Sequence, residues 1–351
     1  MVGRQLRSLL DGLGHETFIL ARPSRDQAAR PSYIDRSGVW QQPHVTEASS
    51  YEIPLREYQS WAEANSLDVA FFDQNYQFEE IATLRRMGVK TLGRFVWESF
   101  APTDAEPALR AFDLIYSLTE CEQERYRTLE INSPKVDWGC HPELLAVTPE
   151  RDREIVRFIY PGGFMSKRKP FEAVIEAFTR STESRFRLVF KAQVERQARK
   201  VRKLVRKDPR IEVIWEDLPT DRYLQLFANC HVCLAPSRWE GLGLHLYEAT
   251  AFGMPIVTND NPPMNEMVED GVNGLLVRGI ETGKARSGIP AFDPDIGELA
   301  AAILRFGDER FLEELYTGAL QIREQRRWEK TVTGYSRLLE RITVPKETVS
   351  V

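Results

Sequence analysis

The stretch Pro236-Ser237-Arg238-Trp239-Glu240-Gly241-Leu242-Gly243-Leu244-His245-Leu246-Tyr247-Glu248-Ala249-Thr250-Ala251-Phe252-Gly253-Met254-Pro255 reads as the end of a strand, a glycine loop, a helix and a helix stop. Gly241 and Gly243 let the backbone come close to a ligand, and a helix opening there points unpaired N–H groups and the positive end of its dipole outward. A diphosphate suits such an end. Glu240 precedes the helix and Glu248 lies one to two turns into it, so two carboxylates can face one crevice at different depths. Carboxylates accept hydrogen bonds from sugar hydroxyls. Gly253 caps the helix, and Met254-Pro255 leads into the next strand.

Outward from this stretch, apolar runs rich in β-branched and aromatic residues recur at 17–20, 69–72, 90–96, 114–117, 158–160, 187–190, 211–214, 232–235, 256–258 and 275–277. Amphipathic stretches separate them: Phe171, Val174, Ile175 and Phe178 share one helical face, and Leu299, Ala302, Ile303 and Phe306 another. This alternation predicts an α/β fold of parallel sheets flanked by helices. A chain of 351 residues exceeds the roughly 250–300 at which one core stops growing, so two such units are expected. The aperiodic, proline-bearing stretch 142–153 sets the division. Residues 1–148 form one Rossmann-like domain, 149–328 a second, and 329–351 a C-terminal helix and tail that crosses back to the first. Residues 279–294 read as a long loop and about the last nine as loose. A Rossmann-like unit normally opens on a strand, whereas 1–10 reads as loop and helix, so its first strand is expected to be absent or to lie upstream.

Composition narrows the class. With 42% hydrophobic and 10% aromatic residues there is apolar material for two cores. A net charge of −5 gives no overall attraction for nucleic acid. Cys121, Cys140, Cys230 and Cys233 form neither a dense disulfide framework nor paired metal half-sites, which fits a reducing cytoplasm. No apolar run approaches the roughly 18–20 residues of a bilayer span, and the N-terminus has no signal-peptide pattern. Cys230-His231-Val232-Cys233 lacks the second half of a zinc site and reads as strand packing. Asp293-Pro294-Asp295 falls in a prolyl loop, so no metal is expected.

Ser-x-x-Glu-Gly-x-Gly-Leu followed by Glu-Ala-x-Ala-x-Gly-x-Pro, with seven residues between Glu240 and Glu248, resembles the donor-site signature of family 4 glycosyltransferases. The likeness extends through Thr258-Asn259-Asp260, Asn265-Glu266 and 270–277. It implies two Rossmann-like domains facing across a cleft (GT-B), hexosyl transfer with retention of configuration, no metal, and no cofactor beyond a UDP- or GDP-linked sugar as donor substrate. It further implies that Glu240 lies by the transferred sugar, Glu248 binds the ribose, and the amides of Leu242, Gly243 and Leu244, behind Gly241, meet the diphosphate. The turn Tyr160-Pro161-Gly162-Gly163-Phe164-Met165-Ser166-Lys167-Arg168-Lys169 is similar to another phosphate-holding loop of the family. Lys169 matches its lysine, while Phe164 stands where an arginine is usual, leaving Lys167 or Arg168 to substitute. Lys191 is either a nucleotide contact or a strand-end charge, and Trp215 lies where the family contacts the base. The family's histidine in the first domain has no counterpart. The corresponding strand ends carry Asp73 and Glu98, either of which can contact the acceptor or cap a local element. On this reading, Glu240→Ala abolishes transfer with little change in melting temperature.

The acceptor, a glycan, lipid-linked glycan or small molecule, is not legible. The basic stretch 193–207 carries a narrow apolar stripe, Val194, Val201, Leu204 and Val205, that suits packing on the sheet or peripheral docking on the anionic inner face of a membrane. Two rivals share the fold: a phosphorylase or epimerase, and a nucleotide-sugar-binding protein without transferase activity.

Overall fold

The computed structural model describes residues 2–23, 38–193 and 197–343; Val194 of the basic stripe and the tail after residue 343 lie outside them. The strands are β1 Ile19–Ala21, β2 Val45–Glu47, β3 Val69–Asp73, β4 Lys90–Arg94, β5 Leu114–Ile115, β6 Val156–Gly163, β7 Phe186–Ala192, β8 Ile211–Ile214, β9 Val232–Leu234, β10 Ile256–Asn259, β11 Gly274–Val277, β12 Gly279–Lys284 and β13 Pro290–Pro294.

Six of them form one parallel sheet in the order β11-β10-β9-β6-β7-β8. Helices cover both faces, which is why strand residues such as Phe158, Ile159, Tyr160, Val232 and Cys233 are all buried without alternation. From β6 the chain winds outward through β7 and β8, then returns to the other side of β6 for β9, β10 and β11. The reversal opens a crevice at the C-terminal ends of β6 and β9, where ligands bind in sheets of this kind.

In the N-terminal half, β3-β4-β5 form a parallel sheet and β1-β2 a separate parallel pair. A groove of about 1280 Å³, lined by β1, β3 and the helix Val2–Gly12, lies between the two. Phe72, Phe95, Phe100, Phe112 and Tyr126 fill the core behind β3 and β4. The helix Trp328–Thr343 packs on this half. Tyr335 meets Phe71 and Tyr116 edge-on at 6.0 and 5.5 Å, and Thr331 Oγ1 accepts from the Gly139 amide and donates to the Asp137 carbonyl, both at 2.8 Å.

The stretch 279–294 corrects the sequence reading. It forms an antiparallel hairpin, β12–β13, instead of a loop. β12 is almost wholly exposed and lacks an alternating apolar face, so nothing in it signals a strand. Its pairing is secured from outside, where the Phe292 amide donates to the Arg238 carbonyl at 3.0 Å, and Asn259 Nδ2 to the Phe292 carbonyl at 2.9 Å.

Gly274 pairs with Ile256 across β10 and β11, and a Cβ on it would lie 2.0 Å from the Ile256 carbonyl oxygen. Gly274→Ala therefore forces the strands apart. Urea unfolding is expected to show a loss of about 1–3 kcal/mol.

Candidate functional site

Two loops meet at the crevice. One leaves β6 through Gly162 and Gly163 and carries Arg168 and Lys169; the other leaves β9 and carries Ser237 to Gly243. The Arg238 amide donates to the Arg168 carbonyl at 2.8 Å, joining them through the backbone. Gly163 and Met165 take left-handed φ values of 52° and 51°, turning the first loop back on itself. The helix Leu244–Ala251 opens on Gly243, whose φ of 71° suits glycine.

Gly241 meets a packing demand that the sequence does not show. Its missing side chain faces protein: a Cβ would lie 2.6 Å from Val96 Cγ1 and 3.2 Å from Glu98 Oε1. The indole N–H of Trp97 donates to the Glu240 carbonyl at 2.6 Å. Gly241 thus lets the loop after β4 close directly onto the loop after β9.

Glu240 is 3% exposed and Lys169 7%. Lys169 Nζ donates to Glu240 Oε1 at 2.6 Å and to Ser237 Oγ at 2.9 Å, and the Ser237 hydroxyl donates to the same Oε1 at 2.8 Å. Arg168 Nη1 stands 3.4 Å from Glu240 Oε2 and 3.9 Å from Glu98 Oε1. Burial works to raise the Glu240 pKa, but Lys169 and Arg168 outweigh it and hold the carboxyl well below the usual range, so it stays ionised. Burial holds Lys169 below the usual lysine range against the pull of Glu240. Glu98 is pushed up to about 7, first by burial, with Arg168 opposing and Glu240 adding to the rise. Its Oε2 and the Arg168 Nε are sealed from solvent without a hydrogen-bond partner among the described residues.

The other candidates stand apart from this cluster. Glu248 is buried and accepts from the Tyr223 hydroxyl at 2.9 Å; burial pushes its pKa up to about 7, and it shares no hydrogen-bond partner with Glu240. Lys191 Nζ donates to the Ala192 and Glu216 carbonyls, both at 2.7 Å, tying the end of β7 to the segment after β8. Trp215 packs beside Phe190 under the Arg202 guanidinium. Asp73 pairs with Arg94 at 3.1 Å, and Arg94 with the buried Glu122 at 2.9 Å. Phe164 is 59% exposed. Of the set-aside groups, His231 bonds the Arg157 amide and the Asp152 carbonyl, and Asp295 caps the helix Ile296–Arg305. Val201 of the basic stripe is fully buried against the six-stranded sheet, with Leu204 and Val205 packed beside it.

Several contributors escaped the sequence reading. Ser237 and Trp97 hold Glu240, and Tyr223 holds Glu248. Glu266 reaches across to the N-terminal half, where its carboxylate accepts from the Glu120 and Cys121 amides at 2.8 and 2.9 Å and so caps the helix Glu120–Thr128. Ala285 and Ile289 of the hairpin end pack with Trp97, Cys121 and Trp239. Ser237 precedes Glu240 by three residues within the quoted motif, and Glu266 lies in the stretch over which the likeness extends, which was the available signal; Trp97 and Tyr223 carry none at short range.

Residues 156–306 match the family model of glycosyl transferases group 1. This segment, less than half of the chain, is similar to that family. Among curated proteins, the D-inositol 3-phosphate glycosyltransferase of Acidothermus cellulolyticus is 32% identical over 117 residues, 33% of this chain and 23% of that protein. The matches to the first curated relatives span 14% and 23% of their lengths. Sucrose-phosphate synthase from Thermosynechococcus elongatus superposes with a TM-score of 0.74 at 17% identity, over 97% of this chain and 92% of that one. Anabaena HepE in complex with UDP and glucose superposes with a TM-score of 0.61 at 16% identity, over 85% of each. These likenesses establish the GT-B fold. The matched segment contains the whole Lys169–Ser237–Glu240 cluster. No helix among the described residues is long and apolar enough to cross a membrane.

The pairing revises the expected behaviour of a Glu240 variant. Glu240→Ala strands a buried ammonium, a loss of about 3–5 kcal/mol, so its melting temperature falls. Glu240→Ala/Lys169→Met removes both charges and recovers part of that loss. A double-mutant cycle in urea is expected to give a coupling of about 1–3 kcal/mol.

Proposed function

We propose that the chain is a retaining, metal-independent hexosyltransferase that moves a sugar from a UDP- or GDP-linked donor to a hydroxyl acceptor. One observation carries the reading: a buried, ionised Glu240 held by Lys169 and Ser237 beside the glycine-opened helix, inside the group 1 segment and facing the N-terminal half. Glu240 accepts from hydroxyls of the transferred sugar. Lys169, Arg168, Gly163 and the amides of Leu242, Gly243 and Leu244, behind Gly241, receive the diphosphate and stabilise it as it leaves. Glu248 takes the ribose, with Lys191 and Trp215 flanking the nucleotide. The bond between C1 and the diphosphate oxygen breaks, a bond from C1 to the acceptor oxygen forms on the same face, and the acceptor proton departs with the phosphate. The Anabaena HepE complexes with UDP support a uridine-linked donor.

Glu98 and Asp73 stand on the acceptor side. Glu98 is the better placed of the two, because it faces Arg168 and Gly241 while Asp73 is engaged by Arg94.

Incubation with UDP- and GDP-sugars and a panel of glycan and lipid-linked acceptors is expected to release free nucleotide only when both substrates are present. Chelation should leave the rate unchanged, and Lys169→Met should lower kcat by about 10²-fold or more. Nucleotide release without acceptor, or none under any pairing, would reject transfer. Glu98 ionises as pH rises through about 7, and only its ionised form accepts from an acceptor hydroxyl. We therefore expect kcat/KM to increase through that range in the native chain and to lose the dependence in Glu98→Gln.

A further inference from the structure

The donor reading leaves one group in the first turn of the helix without a task. His245 follows Gly243 and Leu244 at the opening of Leu244–Ala251. Its side chain is half-buried, and its Nε2 is sealed from solvent with no hydrogen-bond partner among the described residues. A sealed ring nitrogen without a partner is uncommon in folded proteins and calls for a group that the free chain does not supply.

The charges facing the ring are Lys169 and Arg168 from the loop after β6 and Glu240 from the loop after β9, two cations to one carboxylate. The opening of the helix adds the positive end of its dipole at the same place. Burial first, and then the two cations, push the imidazole pKa down to about 3 against the pull of Glu240, so at neutral pH the ring is uncharged and carries one N–H. An unused N–H beside two cations and a helix opening lacks only an anion.

We propose that His245 is a donor-site residue whose Nε2–H donates a hydrogen bond to the diphosphate of a nucleotide seated at this helix opening. The inference rests on the donor-site reading above and adds to it a side-chain contact that discriminates by phosphate number. A nucleoside diphosphate brings two phosphoryl groups to the recess, whereas a monophosphate brings one. The incoming anion also draws the imidazole toward its charged form, which strengthens the bond.

Calorimetric titration of the full chain tests this with UDP against UMP, GDP against GMP, and UDP-glucose. The proteins compared are the native chain, His245→Leu, and His245→Gln, whose amide restores a donor. His245→Leu is expected to weaken diphosphate binding about ten- to a hundredfold and leave monophosphate binding unchanged, with His245→Gln recovering most of the loss. Melting curves of the free proteins confirm folding, and His245→Ala replaces the leucine variant should the latter unfold. Equal losses for mono- and diphosphate, undiminished diphosphate binding, or a loss confined to UDP-glucose would overturn the inference. A native chain that binds neither UDP nor GDP would instead sink the donor-site reading, and this inference with it.

Discussion

An ammonium and a carboxylate taken out of water must find each other, and the crevice of this protein is organised by that requirement. Lys169 and Glu240 come from loops that follow different strands, separated by 71 residues, and each is almost completely buried. Neither loop can be displaced without leaving a charge uncompensated. Ser237 bonds both partners, and the backbone bond from Arg238 to Arg168 fixes the same alignment one step further along. The strand order makes this meeting possible, because winding reverses at β6 and brings the ends of β6 and β9 side by side.

The same cluster ties the two halves of the chain together. Gly241 removes the side chain that would collide with Val96, and Trp97 then reaches the Glu240 carbonyl. Glu266 caps a helix of the opposite half, and the β12–β13 hairpin packs its end against Trp97 and Trp239. Contact between the halves thus includes the candidate site, alongside an apolar seam in which Leu118, Trp138 and Cys140 cluster with Tyr247, Met254 and Met267. Arg168 is the hinge of its electrostatics, standing within 4 Å of carboxylates from both halves, Glu98 and Glu240. One of these is held ionised and the other pushed up to about 7, because the first has two close cations and the second is dominated by burial.

Glu248 is organised separately. Tyr223, from the helix Thr220–Ala228, bonds it in a buried setting that raises its pKa. The two glutamates of the motif therefore differ in charge tendency although only seven residues separate them. Their shared sequence context says nothing of this, because the difference arises from neighbours on other elements.

What the sequence by itself determined is what repeats locally. The alternation of apolar runs and amphipathic stretches set the parallel α/β architecture, and glycine, helix and stop followed in order around Leu244–Ala251, because these depend on residues a few positions apart. The hairpin within 279–294 reads as a loop because β12 is exposed and lacks an alternating apolar face, and its partner strand is held by Arg238 and Asn259 from elsewhere. Only the tertiary structure decided that Gly241 clears a path for Val96, that Ser237 completes the Lys169–Glu240 pair, and that Trp97, 143 positions from Glu240, holds its carbonyl. Hydrogen bonds and charge pairs act over a few ångströms of space, and a distance of that kind between remote residues exists only once the strands have taken their order.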